Sequence, residues 1–144
     1  MLWFKEKLRV FNCECKHDHY FPVINSLKEM KGIDVVHFTD IAHLCVNLTL
    51  QPNIIVIDFC CLKLLSEKEK VRFRNVLRKV DYELNILVII DKEDIPFTTD
   101  LFKNIVVDII IHDRNWENKL ERAITNLVHI NKPYGEAELA KYSM

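Results

Sequence analysis

Glycine is nearly missing from this 144-residue chain, which has only Gly32 and Gly135. A loop that cradles phosphate with backbone N–H groups needs glycines at fixed spacing. Neither GxxxxGK nor GxGxxG occurs, which excludes the common nucleotide loops. Long apolar runs are missing too. Ile54 to Ile57, Ile86 to Ile90 and Ile109 to Ile111 fall far short of the roughly 18–20 residues that cross a bilayer. Met1 to Val10 mixes Trp3 and Phe4 with Lys5, Lys7 and Arg9, without the apolar stretch and small-residue cleavage site of a secretory signal. Excess charge is also lacking: 20 Lys and Arg stand against 21 Asp and Glu, a net charge of −1. Neither a nucleic-acid groove nor an anionic-membrane patch is expected from such a balance. The cysteines are five, Cys13, Cys15, Cys45, Cys60 and Cys61, an odd number without framework spacing, as for free thiols in a reducing compartment. A cytoplasmic protein without membrane contact is expected.

Apolar residues make up 49% of the chain, enough for one domain of ordinary size with a substantial core. Their spacing switches repeatedly between strand-like and helix-like. Leu8 to Glu14, Ile33 to Phe38, Asn53 to Asp58, Asn85 to Ile90 and Ile105 to Ile111 read as strands. Between them, Tyr20, Val23, Ile24, Leu27 and Met30 fall at helical spacing before Gly32, in the position of a helix stop. Asp40 precedes a short helix with Ile41, Leu44, Cys45 and Leu48 on one face. Ser66 and Glu69 form a capping box for a helix carrying Phe73, Val76, Leu77 and Val80. Asp94 to Asn104, with Pro96, reads as a loop with a short helix near Thr99 to Lys103. A last helix runs from about Asn115 to Ile130. Almost unbroken apolar strands mark a parallel sheet covered on both faces. Right-handed crossovers then give a flavodoxin-like, doubly wound (βα)5 fold with strand order 2-1-3-4-5. Residues 1–130 make this domain, and 131–144 read as a linker or tail.

Ligands in open α/β sheets bind outside the carboxyl ends of the strands. There the sequence presents Cys13, Glu14, Cys15, Lys16, His17, Asp18 and His19 after strand one, Asp58 with Cys60 and Cys61 after strand three, Asp91 after strand four, and His112 and Asp113 after strand five. Pro52-Asn53-Ile54-Ile55-Val56-Ile57-Asp58 resembles the third strand of response-regulator receiver domains, with Asp58 at the phosphoacceptor position. Arg9 to Cys15 is similar to the strand leading into that family's paired acids. His129-Ile130-Asn131-Lys132-Pro133-Tyr134-Gly135 resembles the exit from the receiver in LuxR-type (NarL/FixJ-like) transcription regulators, where a helix-turn-helix output domain follows. The resemblance implies that DNA is reached only through such an output domain, which this chain does not contain.

Several parts of the family's pocket differ. Glu14 supplies one acid, but its partner position holds Cys15, or Lys16 in a slipped register. Asp91 stands where Ser or Thr is expected. The lysine place on strand five holds Ile111, His112 or Asp113. Ile109 and Ile110 occupy the stretch of the family's switch aromatic, and Cys60-Cys61-Leu62-Lys63 replaces the Pro and Gly after the phosphoacceptor. Phosphoryl transfer is mostly positioning and charge stabilisation, and one lost donor costs roughly 10²–10³ in rate. The expected pocket is therefore acidic, built of Glu14, Asp58 and Asp91. It lacks its phosphoryl-neutralising half and attracts Mg²⁺ weakly if at all. Asp58 has a plainer reading, as a strand-terminal carboxylate capping a turn or helix start.

Two other constellations remain. Cys13, Cys15, His17 and His19 alternate metal-ligand types on one face of an extended segment, with Cys60 and Cys61 on the neighbouring strand. The plain reading is core cysteines and polar loop histidines, and no metal or other cofactor is expected. Cys60 or Cys61 with His17 or His112 would be the nucleophile pair of a small thiol enzyme. The basic outer face of Lys68 to Lys79 reads as a solvated helix face. Phe97, Leu101, Phe102 and Trp116 fall where receivers form dimer or output contacts. Exposed they would make an interaction patch, and buried they are core. The sequence thus predicts a non-catalytic receiver-like interaction module, phosphorylation-independent and self-associating or bound to a protein partner. The rivals are a working phosphoacceptor at Asp58 and an enzyme using the Cys/His cluster.

Overall fold

The computed structural model describes residues 7–15 and 22–130. His17, His19, Tyr20 and segment 131–144, assigned above to metal ligation, a helix start and a linker, lie outside the described residues. Strands β1 (Leu8–Cys13), β2 (Ile33–Phe38), β3 (Ile54–Asp58), β4 (Asn85–Ile90) and β5 (Asp108–Ile111) form one parallel sheet in the order β2-β1-β3-β4-β5. Helices α1 (Pro22–Lys28), α2 (Ile41–Val46), α3 (Phe59–Lys63), α4 (Glu67–Arg78), α5 (Ile95–Leu101) and α6 (Trp116–Ile130) are interleaved with it. This is the flavodoxin-like (βα)5 architecture that the sequence predicts.

The strands alternate between two apolar faces rather than between apolar and polar. Val10, Ile54, Val56, Leu87 and Ile89 point toward Val23 and Leu27 of α1 and Trp116, Leu120 and Ile124 of α6. Phe11, Ile55, Ile57, Val88 and Ile90 point the other way, toward Leu44 of α2, Phe73 and Leu77 of α4 and Leu101 of α5. Each fully buried aliphatic or aromatic side chain contributes about 1.5–3 kcal/mol. A sheet packed on both faces therefore holds its carboxyl ends rigidly. Gly32 takes φ +84, and its carbonyl accepts the Leu8 N–H at 2.9 Å.

Both expected caps form. Asp40 accepts the His43 N–H at 2.7 Å, and Ser66 and Glu69 complete the capping box of α4. Three boundaries differ from the sequence reading. The helix placed near Thr99 to Lys103 starts at Ile95 instead, because Pro96 sits in its first turn, where a missing N–H costs nothing. Strand five does not begin at Ile105. Asn104 turns left-handed at φ 64 and Ile105 bonds back to Phe102, so the strand starts at Asp108. Helix α3 begins directly after Asp58, where the sequence showed only a loop.

Candidate functional site

A carboxylate closes or follows every strand: Glu14 after β1, Asp40 after β2, Asp58 ending β3, Asp91 after β4 and Asp113 after β5. Three of these cap the chain that follows. Glu14 Oε2 accepts the Val23 N–H at 3.0 Å, and its Oε1 accepts the Ile24 N–H at 2.6 Å and the Asn12 amide at 3.1 Å. Asp40 caps α2 as described. Asp113 accepts the Asn115 N–H at 2.8 Å and the Lys119 ammonium at 2.6 Å. The Lys119 bond and then the Asn115 N–H hold the Asp113 carboxyl below its ordinary range.

Glu14 is fully buried. Burial pushes its carboxyl above the ordinary 4.5, against the three hydrogen bonds that favour the anion, and the nearby Asp58 charge adds to the rise. The acidic pocket of Glu14, Asp58 and Asp91 therefore does not form as expected. Glu14 is taken up by the start of α1, whose buried N–H groups need an acceptor, and does not line the cavity that Asp58 and Asp91 share.

Asp58 and Asp91 remain, and both line an open cavity of about 670 Å³ at the carboxyl end of the sheet. Neither side chain makes a cap hydrogen bond to the helix after it, so the helix-start part of the plainer reading of Asp58 is not met. The cavity also holds basic side chains. Lys63, at the end of α3, lines it, 3.7 Å from Asp94 and over the Phe59 ring at 5.1 Å. His112 lines it 3.8 Å from Asp91. The pocket is thus less one-sided in charge than the sequence suggested. Lys63 was missed because α3 was missed, since the single Phe59 and Leu62 spacing is too short to mark a helix.

The thiols converge differently from the proposed Cys13, Cys15, His17, His19 series. The Sγ atoms of Cys15, Cys60 and Cys61 lie within 4.8 Å of one another. Cys15 donates its backbone N–H to Cys60 Sγ at 3.1 Å, and the Cys15 and Cys61 sulfurs are 3.6 Å apart. Cys13 is a fully buried core residue. Pairing of β1 with β3 brings Cys15 to the first turn of α3, which carries the other two. Burial pushes the Cys15 thiol up to about 11. Bonds within the cluster, from Cys61 to Cys60 and from Cys13 to Cys61, raise those two thiols further, with burial adding to both. A nucleophilic cysteine needs the opposite shift.

Of the four residues assigned to an interaction patch, Leu101, Phe102 and Trp116 are buried. Phe97 is half-buried, packed on Phe59 at 5.2 Å beneath the Lys70 ammonium. These four are core or close to it. The exposed apolar residues nearby are Val106, 89% accessible, and Ile109 on β5. The basic face of α4 is partly committed. Arg74 and Arg78 donate to the Leu101 and Lys103 carbonyls at 2.8 Å each, tying α4 to the end of α5.

No protein-family model matches the chain, and no curated protein matches it. Its structure is similar to that of the Legionella pneumophila response regulator LqsR, with a TM-score of 0.58 and 11% sequence identity. The likeness covers 85% of this chain and 44% of that one, so the chain spans less than half of that protein's length. What the two share is the fold, a flavodoxin-like α/β sheet.

Proposed function

We propose that this chain is a receiver-like regulatory domain that acts by protein–protein contact, without Mg²⁺-dependent phosphorylation of Asp58. The observation that carries this reading is the commitment of Glu14. A receiver needs an acid beside the phosphoacceptor to share a cation, and the carboxylate in that place is buried and spent on the N–H groups of Val23 and Ile24. Asp91 adds negative charge at the mouth of the cavity, and the raised thiols argue against a cysteine nucleophile.

Self-association through the exposed edge at Val106 and Ile109 fits the same reading, since β5 ends the sheet and presents unpaired backbone there. Any DNA-binding output belongs to a domain outside this chain, as in the transcription regulators that the tail resembles.

Two experiments test the proposal. Intact mass after incubation with Mg²⁺ and acetyl phosphate should stay that of the unmodified chain. Gain of one phosphoryl group, lost in Asp58→Asn, overturns it in favour of a working phosphoacceptor. Sedimentation velocity should show a concentration-dependent dimer that Val106→Glu with Ile109→Lys returns to monomer. A monomer at all concentrations removes the self-association part.

A further inference from the structure

We propose that Cys15, Cys60 and Cys61 form a binding site for one soft, thiophilic cation, with Cu(I) the best fit. This site stands apart from the receiver-like role proposed above.

Metal–sulfur bonds of about 2.3 Å place thiolates roughly 3.8 Å apart around a tetrahedral ion and roughly 4.0 Å apart around a trigonal one. The three sulfurs already lie within 4.8 Å of one another, with Cys15 and Cys61 at 3.6 Å. Closing on a common ion takes side-chain adjustment and no movement of the sheet.

The sheet positions both sides of the cluster. Cys15 follows β1, and Cys60 and Cys61 open α3 directly after β3, which pairs with β1. The Cys15 N–H aimed at Cys60 Sγ is the kind of donor that stabilises a bound thiolate and orients it. Cys60 also lines the open cavity beside Asp58, which gives an ion a route in from solvent.

Ligand type selects the ion. Three sulfurs suit Cu(I) over the hard cations Mg²⁺ and Ca²⁺. Cu(I) is satisfied by three thiolates, whereas a structural Zn²⁺ takes four ligands. Each coordinating thiol gives up its proton to solvent as its sulfur binds the ion, and no oxidation state changes. This ligand set takes Cys15, Cys60 and Cys61 from the cluster read in the sequence, with Cys13 in the core and His17 and His19 outside the described residues, and departs from the expectation of no cofactor.

The test is an anaerobic competition titration of the full chain. Cu(I) is supplied as its acetonitrile complex against bicinchoninate, with Zn²⁺ in a parallel arm. One equivalent of Cu(I) should be withdrawn from the chelator, and three thiols should become resistant to alkylation until a stronger chelator is added. Cys15→Ser and Cys60→Ser, at half-buried positions and checked by circular dichroism, should weaken binding by more than the roughly 10–100-fold that loss of an outer-shell partner costs. Cys45→Ser should bind as wild type does. Zn²⁺ should bind more weakly than Cu(I).

Three results overturn the proposal: no withdrawal of Cu(I), binding unchanged in both serine variants, or thiol protection reversed only by a reductant. The last would mean that Cys15 and Cys61 form a disulfide and no metal site exists.

Discussion

Glu14 and Asp58 stand at the ends of neighbouring strands, and the fold treats them oppositely. Glu14 is sealed from solvent and fully used by the α1 N–H groups. Asp58 borders a cavity and does not cap its helix. The same division runs along the sheet, with Glu14, Asp40 and Asp113 as caps and Asp58 and Asp91 as cavity walls. An acid at a strand end is therefore not in itself a sign of chemistry. The helix start beyond it has N–H groups to satisfy, and whether the carboxylate reaches them decides its role.

The contrast can be broken most sharply at Glu14. Glu14→Ala leaves two buried donors without an acceptor and should lower stability by roughly 2–6 kcal/mol, at about 1–3 kcal/mol for each orphaned group. Urea denaturation measures this, and a loss below about 1 kcal/mol would place the caps and the cavity acids on an equal footing. Glu14→Gln keeps one acceptor oxygen and should lose less.

Asp40→Ala removes an exposed cap and should cost about 1 kcal/mol by the same assay. At the open end, Asp91→Ala should stay within about 0.5 kcal/mol of wild type, because its only described ion pair, with His112, is exposed.

The pH dependence sharpens the comparison further. Burial raises the folded-state pKa of Glu14 above its ordinary 4.5, so the folded protein holds this proton more tightly than the unfolded chain does. The stability that this contributes is complete below about pH 4.5 and is lost as pH rises through the raised value. Wild type should therefore lose stability relative to Glu14→Gln between acid and neutral pH. Asp58→Asn should reduce that loss, since the Asp58 charge contributes to the rise.

The sheet was legible in the sequence because apolar runs such as Ile54 to Ile57 can only be buried on both faces, and the caps at Asp40 and Ser66 followed from local chemistry. Helix α3 was not legible. Its five residues are too few for periodicity to stand out, and Asp58 before it makes no side-chain cap. Lys63 went with it, since its place depends on where α3 turns, whereas the nearness of Cys15 to Cys60 and Cys61 followed from strands one and three being neighbours. Glu14 was read as a pocket acid because sequence cannot tell a carboxylate that faces a cavity from one that turns back onto buried N–H groups. Trp116 and Phe102 posed the same problem for apolar side chains, and the choice went to the core.

The central claim is that the acids at the strand ends do not converge on Asp58 to hold a phosphoryl group. Titration with Mg²⁺ and beryllofluoride, which mimics a phosphoryl group on an aspartate, tests it directly when followed by amide ¹H–¹⁵N spectra. The account predicts no saturable shifts in the residues around the cavity. A saturable one-to-one response that disappears in Asp58→Asn would contradict it.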